Sequence, residues 1–201
     1  MFPGLTDKAR KAFARNDSPD AVEALLVASV VAGDEVAFKT LYRSYHPRLS
    51  RFIGLMTRRS TVIEEAVNDT MLVVWRRSDT YNRQCKVSTW IFAIAYRTVL
   101  KALREQDEPV ESPHGSGEPA LASAGPEEQR SIGETNASLL RALGCLSAEQ
   151  RSALVLTYFH DMPYAEIARV VDCPPDTVKT RVFHGRRRLR ELLAGELEDW
   201  L

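Results

Sequence analysis

One stretch decides what this chain can build. Residues 105–134 read EQDEPVESPHGSGEPALASAGPEEQRSIGE, rich in Pro, Gly, Ser and Glu and poor in large apolar side chains. Such a segment cannot bury enough apolar surface to offset the entropy of ordering it. A single core therefore cannot run through it. The expectation is two small modules, over residues 20–104 and 136–201, joined by a flexible acidic linker over 105–135. Residues 1–19 form an N-terminal extension with no assigned role.

Composition agrees with folded modules on either side. Of 201 residues, 44% are hydrophobic and 27% charged, the proportions of a soluble globular protein. No run reaches the ~18 apolar residues of a membrane span. The first 20 residues carry positive charge without the apolar stretch of a signal peptide, so a cytoplasmic protein without membrane insertion is expected. Cys85, Cys145 and Cys173 are odd in number and far apart, which speaks against a disulfide framework. His46, His114, His160 and His184 are equally scattered, so neither a metal site nor a cofactor is expected.

The formal net charge of +0 conceals a segregation. The linker carries Glu105, Asp107, Glu108, Glu111, Glu118, Glu127, Glu128 and Glu134 against Arg130. The module before it is correspondingly basic. Residues 179–190 carry Lys179, Arg181, Arg186, Arg187, Arg188 and Arg190 with no acid. A neutral total thus hides two basic modules, suited to nucleic acid, and an acidic connector.

No segment shows sustained strand-like alternation, and helix signals recur in both modules, so the fold class is all-α. Ser18 before Pro19 suits an N-cap and first turn. Thr61 with Glu64, and Ser147 with Gln150, have the spacing of capping boxes. From Glu64 to Arg77, Val67, Met71 and Val74 fall on one helical face. From Ser88 to Arg104 the sequence is apolar around most of the helix, which implies burial or a partner. Trp75 and Trp90 are read as core residues.

The C-terminal module divides into three helices. The first spans Ser147 to about Phe159. A turn at His160–Met162 follows, then a short helix Tyr164–Val171 with Ile167, Ala168 and Val171 inward. Asp172, Cys173 and Pro174 break it, with Cys173 read as a small buried residue. A basic helix then runs from about Pro175 to Leu193. A short helix, a tight turn and a longer basic helix make a helix-turn-helix. At ~100° per residue, Val178, Val182, Gly185, Leu189 and Leu192 form the inner face. Thr180, His184 and Arg187 lie opposite, flanked by Thr177 and Lys179. A recognition helix reads base edges near its N-terminus, and arginines further along grip phosphate.

The chain resembles the extracytoplasmic-function sigma factors of the sigma-70 family. The C-terminal resemblance rests on LSAEQRSALVLTYFHDMPYAEIARVVDCPPDTVKTRVFHGRRRLREL. The N-terminal one rests on LLVASVVAGDEVAFKTLYRSYHPRLSRFI, EEAVNDTMLVVWRR and STWIFAIAYR. It implies two helical domains, sigma-2 and sigma-4, that bind the core RNA polymerase through its largest-subunit clamp and its flap and direct promoter-specific initiation. Helix 64–77 is implied to dock on the clamp through Glu65, Asn68 and Asp69. The segment from about Asp79 to Arg97 is implied to capture the −10 element, through Asn82, Arg83, Lys86, Ser88, Thr89, Trp90, Tyr96 and Arg97. The loop before Ser88 is implied to hold a base flipped from the non-template strand. The helix from Pro175 is implied to read the −35 element through Thr177, Lys179, Thr180 and His184, with Arg181 and Arg187 on phosphate. The linker is implied to thread the active-site channel, and an anti-sigma factor to cover the domains at rest.

The chain departs from the family at several points. Val62 stands where an acid is common, Tyr96 where Arg is common and Arg97 where Asn is common. His184 replaces a frequent Arg, and Gly185 weakens its helix by ~1 kcal/mol relative to Ala. The missing acid, beside Arg58, Arg59 and Ser60, suggests Thr61 as a phosphosite for a Ser/Thr kinase. The bland alternative is that Thr61 is only a cap. Two other function classes compete. A helix-turn-helix regulator with a sensing domain binds as a dimer to two half-sites. An enzyme needs a phosphate loop, a nucleophile–base pair or a metal cluster; none is found, and no catalytic residue is assigned.

Overall fold

The computed structural model describes residues 18–105 and 138–198, with side chains up to Ala194. The helices are α1 (Pro19–Val31), α2 (Glu35–Met56), α3 (Ser60–Arg76) and α4 (Val87–Glu105), then α5 (residues 138–144), α6 (Ala148–Tyr158), α7 (Tyr164–Val171) and α8 (Pro175–Glu198). A 3-10 turn, Ser78–Thr80, lies between α3 and α4. The described residues contain no strand. They fall into two compact units, one built on α1 to α4 and one on α5 to α8. The acidic linker, and with it the expectation of a flexible connector, lies outside the described residues, as does the N-terminal extension.

Local chemistry explains most boundaries. The Ser18 side chain accepts from the Ala21 amide at 3.3 Å, and Pro19 opens α1 as expected. Gly33, with φ +84°, makes the turn out of α1, a conformation that costs Gly little. Asp34 then caps α2, its Oδ1 accepting from the amides of Val36 (2.9 Å) and Ala37 (3.1 Å). Ser147 accepts from the Gln150 amide at 3.2 Å and starts α6. The expectation for Thr61 is corrected. Helix α3 begins at Ser60, so Thr61 sits inside the first turn instead of capping it.

The core of the first unit sits between α2 and α4. Leu41, Tyr45, Leu49, Phe52 and Ile53 of α2 and Ile91, Phe92, Ala95 and Val99 of α4 are all buried, and the rings of Phe52 and Phe92 pack edge to face at 5.4 Å. From α3, Val67, Met71 and Val74 are buried as their spacing requires, joined by Val62 and Ala66. Trp75 is half-buried, packed edge-on against Phe38 at 5.0 Å.

A polar contact inside this unit has no signature in the sequence. The Tyr45 hydroxyl donates to Glu23 Oε2 at 2.6 Å, and Arg48 approaches the same carboxylate at 3.6 Å while lying over the Tyr45 ring at 4.6 Å. Burial, and then the neighbouring Glu23, holds the Tyr45 hydroxyl well above the usual phenol range, so it stays protonated and donates. Burial also pushes the Glu23 carboxyl up, against the Tyr45 hydrogen bond and Arg48, which pull it down. Because the folded value is raised, the folded state holds this proton more tightly. The contribution of Glu23 is therefore largest below the ordinary carboxylate range and is lost as pH rises through the raised value. Glu23→Ala leaves Tyr45, 0% exposed, without an acceptor and should cost about 1–3 kcal/mol. Glu23→Gln keeps an acceptor and should cost less, while flattening that pH dependence. Urea denaturation of both variants across the acidic range checks this.

In the second unit α6, α7 and α8 pack as a helix-turn-helix. Asp161 (φ 49°) turns the chain after α6, and Asp172 (φ 51°) ends α7 in a left-handed cap. Ile167, Ala168 and Val171 are buried as expected, and so is Val170. Gly185 has a role beyond weakening its helix. A Cβ there would stand 2.8 Å from Leu154 Cδ1. The glycine thus lets α8 lie against α6 at a distance no larger residue permits without displacing the buried Leu154.

Candidate nucleic-acid interface

Helix α8 is sorted by exposure. Val178 and Val182 are buried, as is Gly185, while Leu189 and Leu192 are half-buried. The expected reading face is turned outward: Lys179, Thr180, His184 and Arg187 are exposed, and Thr177 is half-buried at its edge. Local bonds modify this face. The Thr180 hydroxyl donates to the Asp176 carbonyl at 2.9 Å, which orients its side chain along the helix. Arg181 is half-buried and donates from Nη1 to Cys173 Sγ at 3.4 Å. One guanidinium nitrogen of Arg181 is thus committed to the turn, and Cys173 is half-buried as its acceptor, not a fully buried apolar residue. Arg187 and Arg188 both approach Glu191, at 3.8 Å and 3.3 Å. These pairs are exposed and hold the arginines only weakly. Phe183, which no polar pattern in the sequence announces, lies among these residues and is exposed.

The first unit presents two further surfaces. On α3, Glu65, Asn68 and Asp69 are exposed on the side opposite Val67 and Met71. The Tyr42 hydroxyl of α2 donates to Asn68 Oδ1 at 3.1 Å, so the Asn68 amide is held in place. Leu72 is 43% exposed, one turn beyond Asn68. It adds an apolar contact beside the carboxylates that the charge pattern did not reveal.

The loop from Tyr81 to Lys86 is organised by its own side chains. Tyr81 donates its hydroxyl to the Cys85 carbonyl at 2.8 Å, and its ring lies 5.5 Å from that of Trp90. Asn82 Oδ1 accepts from the Gln84 amide at 3.1 Å, and Arg83 takes a left-handed conformation with φ 61°. Asn82, Arg83 and Lys86 are exposed around this turn. Trp90 and Arg97 come together along an open depression, with Val73, Arg77, Thr80, Ile94 and Thr98. Arg77 and Thr80 were not foreseen. They reach the site because the end of α3 and the 3-10 turn lie beside α4.

Not every expected contact is on the surface. Ser88 and Thr89 are buried, and Tyr96 is 6% exposed. The helix carrying them is buried around most of its circumference over residues 87–96. Val62 is 1% exposed. Thr61 itself is exposed in the first turn of α3, after the exposed Arg58 and Arg59.

Comparison with known proteins places both units. Residues 41–108 match the family model for sigma-70 region 2, and residues 136–189 match that for sigma-70 region 4. The ECF RNA polymerase sigma factor SigM of Mycobacterium tuberculosis is 33% identical over 172 residues, covering 85% of this chain and 84% of that protein. The ECF RNA polymerase sigma factor RpoE of Cereibacter sphaeroides is 28% identical over 165 residues, covering 79% and 87%. Among solved structures, CnrH in complex with the cytosolic domain of CnrY has a TM-score of 0.65 at 20% identity, covering 86% of this chain and 97% of that one. RpoE in complex with the anti-sigma factor NepR from Bartonella quintana has a TM-score of 0.64 at 24% identity, covering 78% and 96%; both likenesses concern the fold. With both sigma-70 regions matched in order and a 33% identical relative covered along most of its length, the chain belongs to the ECF RNA polymerase sigma factors, which direct promoter-specific transcription initiation by RNA polymerase.

Proposed function

We propose a division of labour between the two units: residues 20–104 dock on the core polymerase and capture the −10 element, and residues 136–201 read the −35 element. The observation that carries it is the face of α8. Lys179, Thr180, His184 and Arg187 are exposed together, opposite a buried row that locks the helix into a helix-turn-helix. A recognition helix held this way lies in the major groove with its N-terminal residues on base edges. The Trp90–Arg97 depression supports the −10 assignment. An indole beside guanidinium groups offers a stacking surface and phosphate contacts to unpaired DNA. Asn82, Arg83 and Lys86 lie on the loop that would meet the flipped base.

The partner at rest is an anti-sigma factor. Two solved structures of the same fold hold such a regulator or a cytosolic domain from another protein. Among the described residues no helix is long and apolar enough to cross a membrane, and a role with polymerase and promoter DNA supports a cytoplasmic location. The acidic linker, in this reading, threads the basic channel of the polymerase.

A helix-turn-helix regulator and a sigma factor differ in stoichiometry. The sigma reading expects the purified chain to be a monomer that forms a 1:1 complex with core polymerase. It also expects tight promoter binding only in that complex. Sedimentation with and without core, and with promoter DNA, decides it. A stable dimer that binds a palindromic site without polymerase would overturn the proposal.

A further inference from the structure

Tyr42 stands where α2 and α3 meet, and its ring is one of a row of four. Trp75 packs edge-on against Phe38 at 5.0 Å, Phe38 lies 6.3 Å from Tyr42, and Tyr42 lies 5.4 Å from His46. The row holds the half-buried Tyr42 ring on α2, and its hydroxyl reaches across to α3. There it donates to Asn68 Oδ1 at 3.1 Å. An unrestrained carboxamide can present either its oxygen or its nitrogen to a partner. With Oδ1 engaged by Tyr42, the two N–H donors of Nδ2 are turned outward. Glu65 lies one turn before Asn68 and Asp69 directly after it, both exposed. Their negative field favours the donor end of the amide on the outer side.

We infer that Tyr42 is a positioning residue of the polymerase-docking face: it holds the Asn68 carboxamide in one orientation, so that α3 offers a hydrogen-bond donor between two carboxylates. The inference rests on the reading of α3 as the docking helix. A clamp surface that fits this face is not uniformly cationic. It carries basic side chains for Glu65 and Asp69 and, between them, an acceptor oxygen for Asn68 Nδ2. Two carboxylates attract many basic surfaces. A donor fixed between them is met only by a surface with an acceptor at the same place, so it adds selectivity that charge alone does not supply. Fixing the amide before the partner arrives also removes an ordering cost from association.

The test is equilibrium binding of the full chain to purified core polymerase. Tyr42→Phe removes only the hydroxyl and keeps the ring in its row. It should lower core affinity roughly three- to tenfold, the range of one hydrogen bond, with helicity and thermal midpoint unchanged. In an Asn68→Ala background the same substitution should add no further loss, because the group it positions is gone. Asn68→Asp keeps an oxygen for Tyr42 but puts an acceptor where the outward donor was. Charge alone would make a third carboxylate bind a basic clamp more tightly, whereas the inference expects weaker binding. It is overturned if Tyr42→Phe binds core as wild type does. It is also overturned if the loss persists undiminished in the Asn68→Ala background, which would put the hydroxyl itself against polymerase. Asn68→Asp binding as well as wild type, or better, overturns the donor assignment. Asp69→Lys separates the two levels. If it abolishes binding while Tyr42→Phe has no effect, only the positioning is wrong; if it too binds normally, the docking reading of α3 fails as well.

Discussion

Asp69→Lys should abolish binding to core polymerase while leaving the helical content unchanged. The residue lies on the exposed side of α3, with Glu65 one turn before it, and the opposite side of the helix buries Val67, Met71 and Val74. A substitution there touches no core residue. It reverses one charge on a surface meant for a basic clamp, and like charges brought together at an interface cost several kcal/mol. At ~4 kcal/mol the loss is about a thousandfold in affinity. Asn68 is steadied by Tyr42 and Leu72 is exposed beside it, so the face combines two carboxylates, a fixed amide and an apolar contact. Leu72→Ala should weaken the complex less than the charge reversal does. A native gel shift with core polymerase, paired with circular dichroism, gives the answer. Undiminished binding by a normally helical Asp69→Lys protein would show that another surface docks.

The second large effect is a difference in kind between two substitutions on α8. Lys179→Ala should change which −35 sequences function, by about 1–3 kcal/mol at the base it reads. Arg187→Ala should weaken all promoters to a similar degree and lower the salt dependence of binding by about one phosphate contact. Position along the helix is the reason. Lys179 lies near the N-terminal end, which meets base edges, and Arg187 lies two turns further on. Arg187 must also leave Glu191, 3.8 Å away, but an exposed pair of this type holds it weakly. Occupancy measured across a set of −35 variants at several salt concentrations separates the two. A uniform loss at every promoter for both mutants would contradict the division between base reading and phosphate grip.

What could be read in advance was whatever the chain encodes locally. The helix-turn-helix boundaries follow from Ser147, Pro163 and the Asp172–Pro174 break, each acting within one turn of the helix it starts or ends. The inner face of α8 follows from helical spacing alone, as does the buried row of α3. What could not be read depends on residues distant in sequence. Ser88, Thr89 and Tyr96 look like surface groups by type, yet α2 and the rest of the first unit enclose the helix that carries them. Arg77 and Thr80 join Trp90 and Arg97 only through the packing of α3 against α4. The Tyr45–Glu23 bond links two helices, and no periodicity announces it. Gly185 looks like a flaw in a helix until Leu154 is seen against it. At Thr61 the spacing to Glu64 imitates a capping box, but the helix begins one residue earlier, at Ser60.

The measurement closest to the central claim is run-off transcription with purified core polymerase, the full chain and a genomic promoter pool. The account predicts discrete transcripts that depend on the chain and share two sequence elements upstream of their starts. Substitution of Lys179 should shift the preferred upstream element, and substitution of Trp90 or Arg97 should impair use of the downstream one. Transcripts that do not depend on the chain, or that depend on it without any shared upstream elements, would contradict the account.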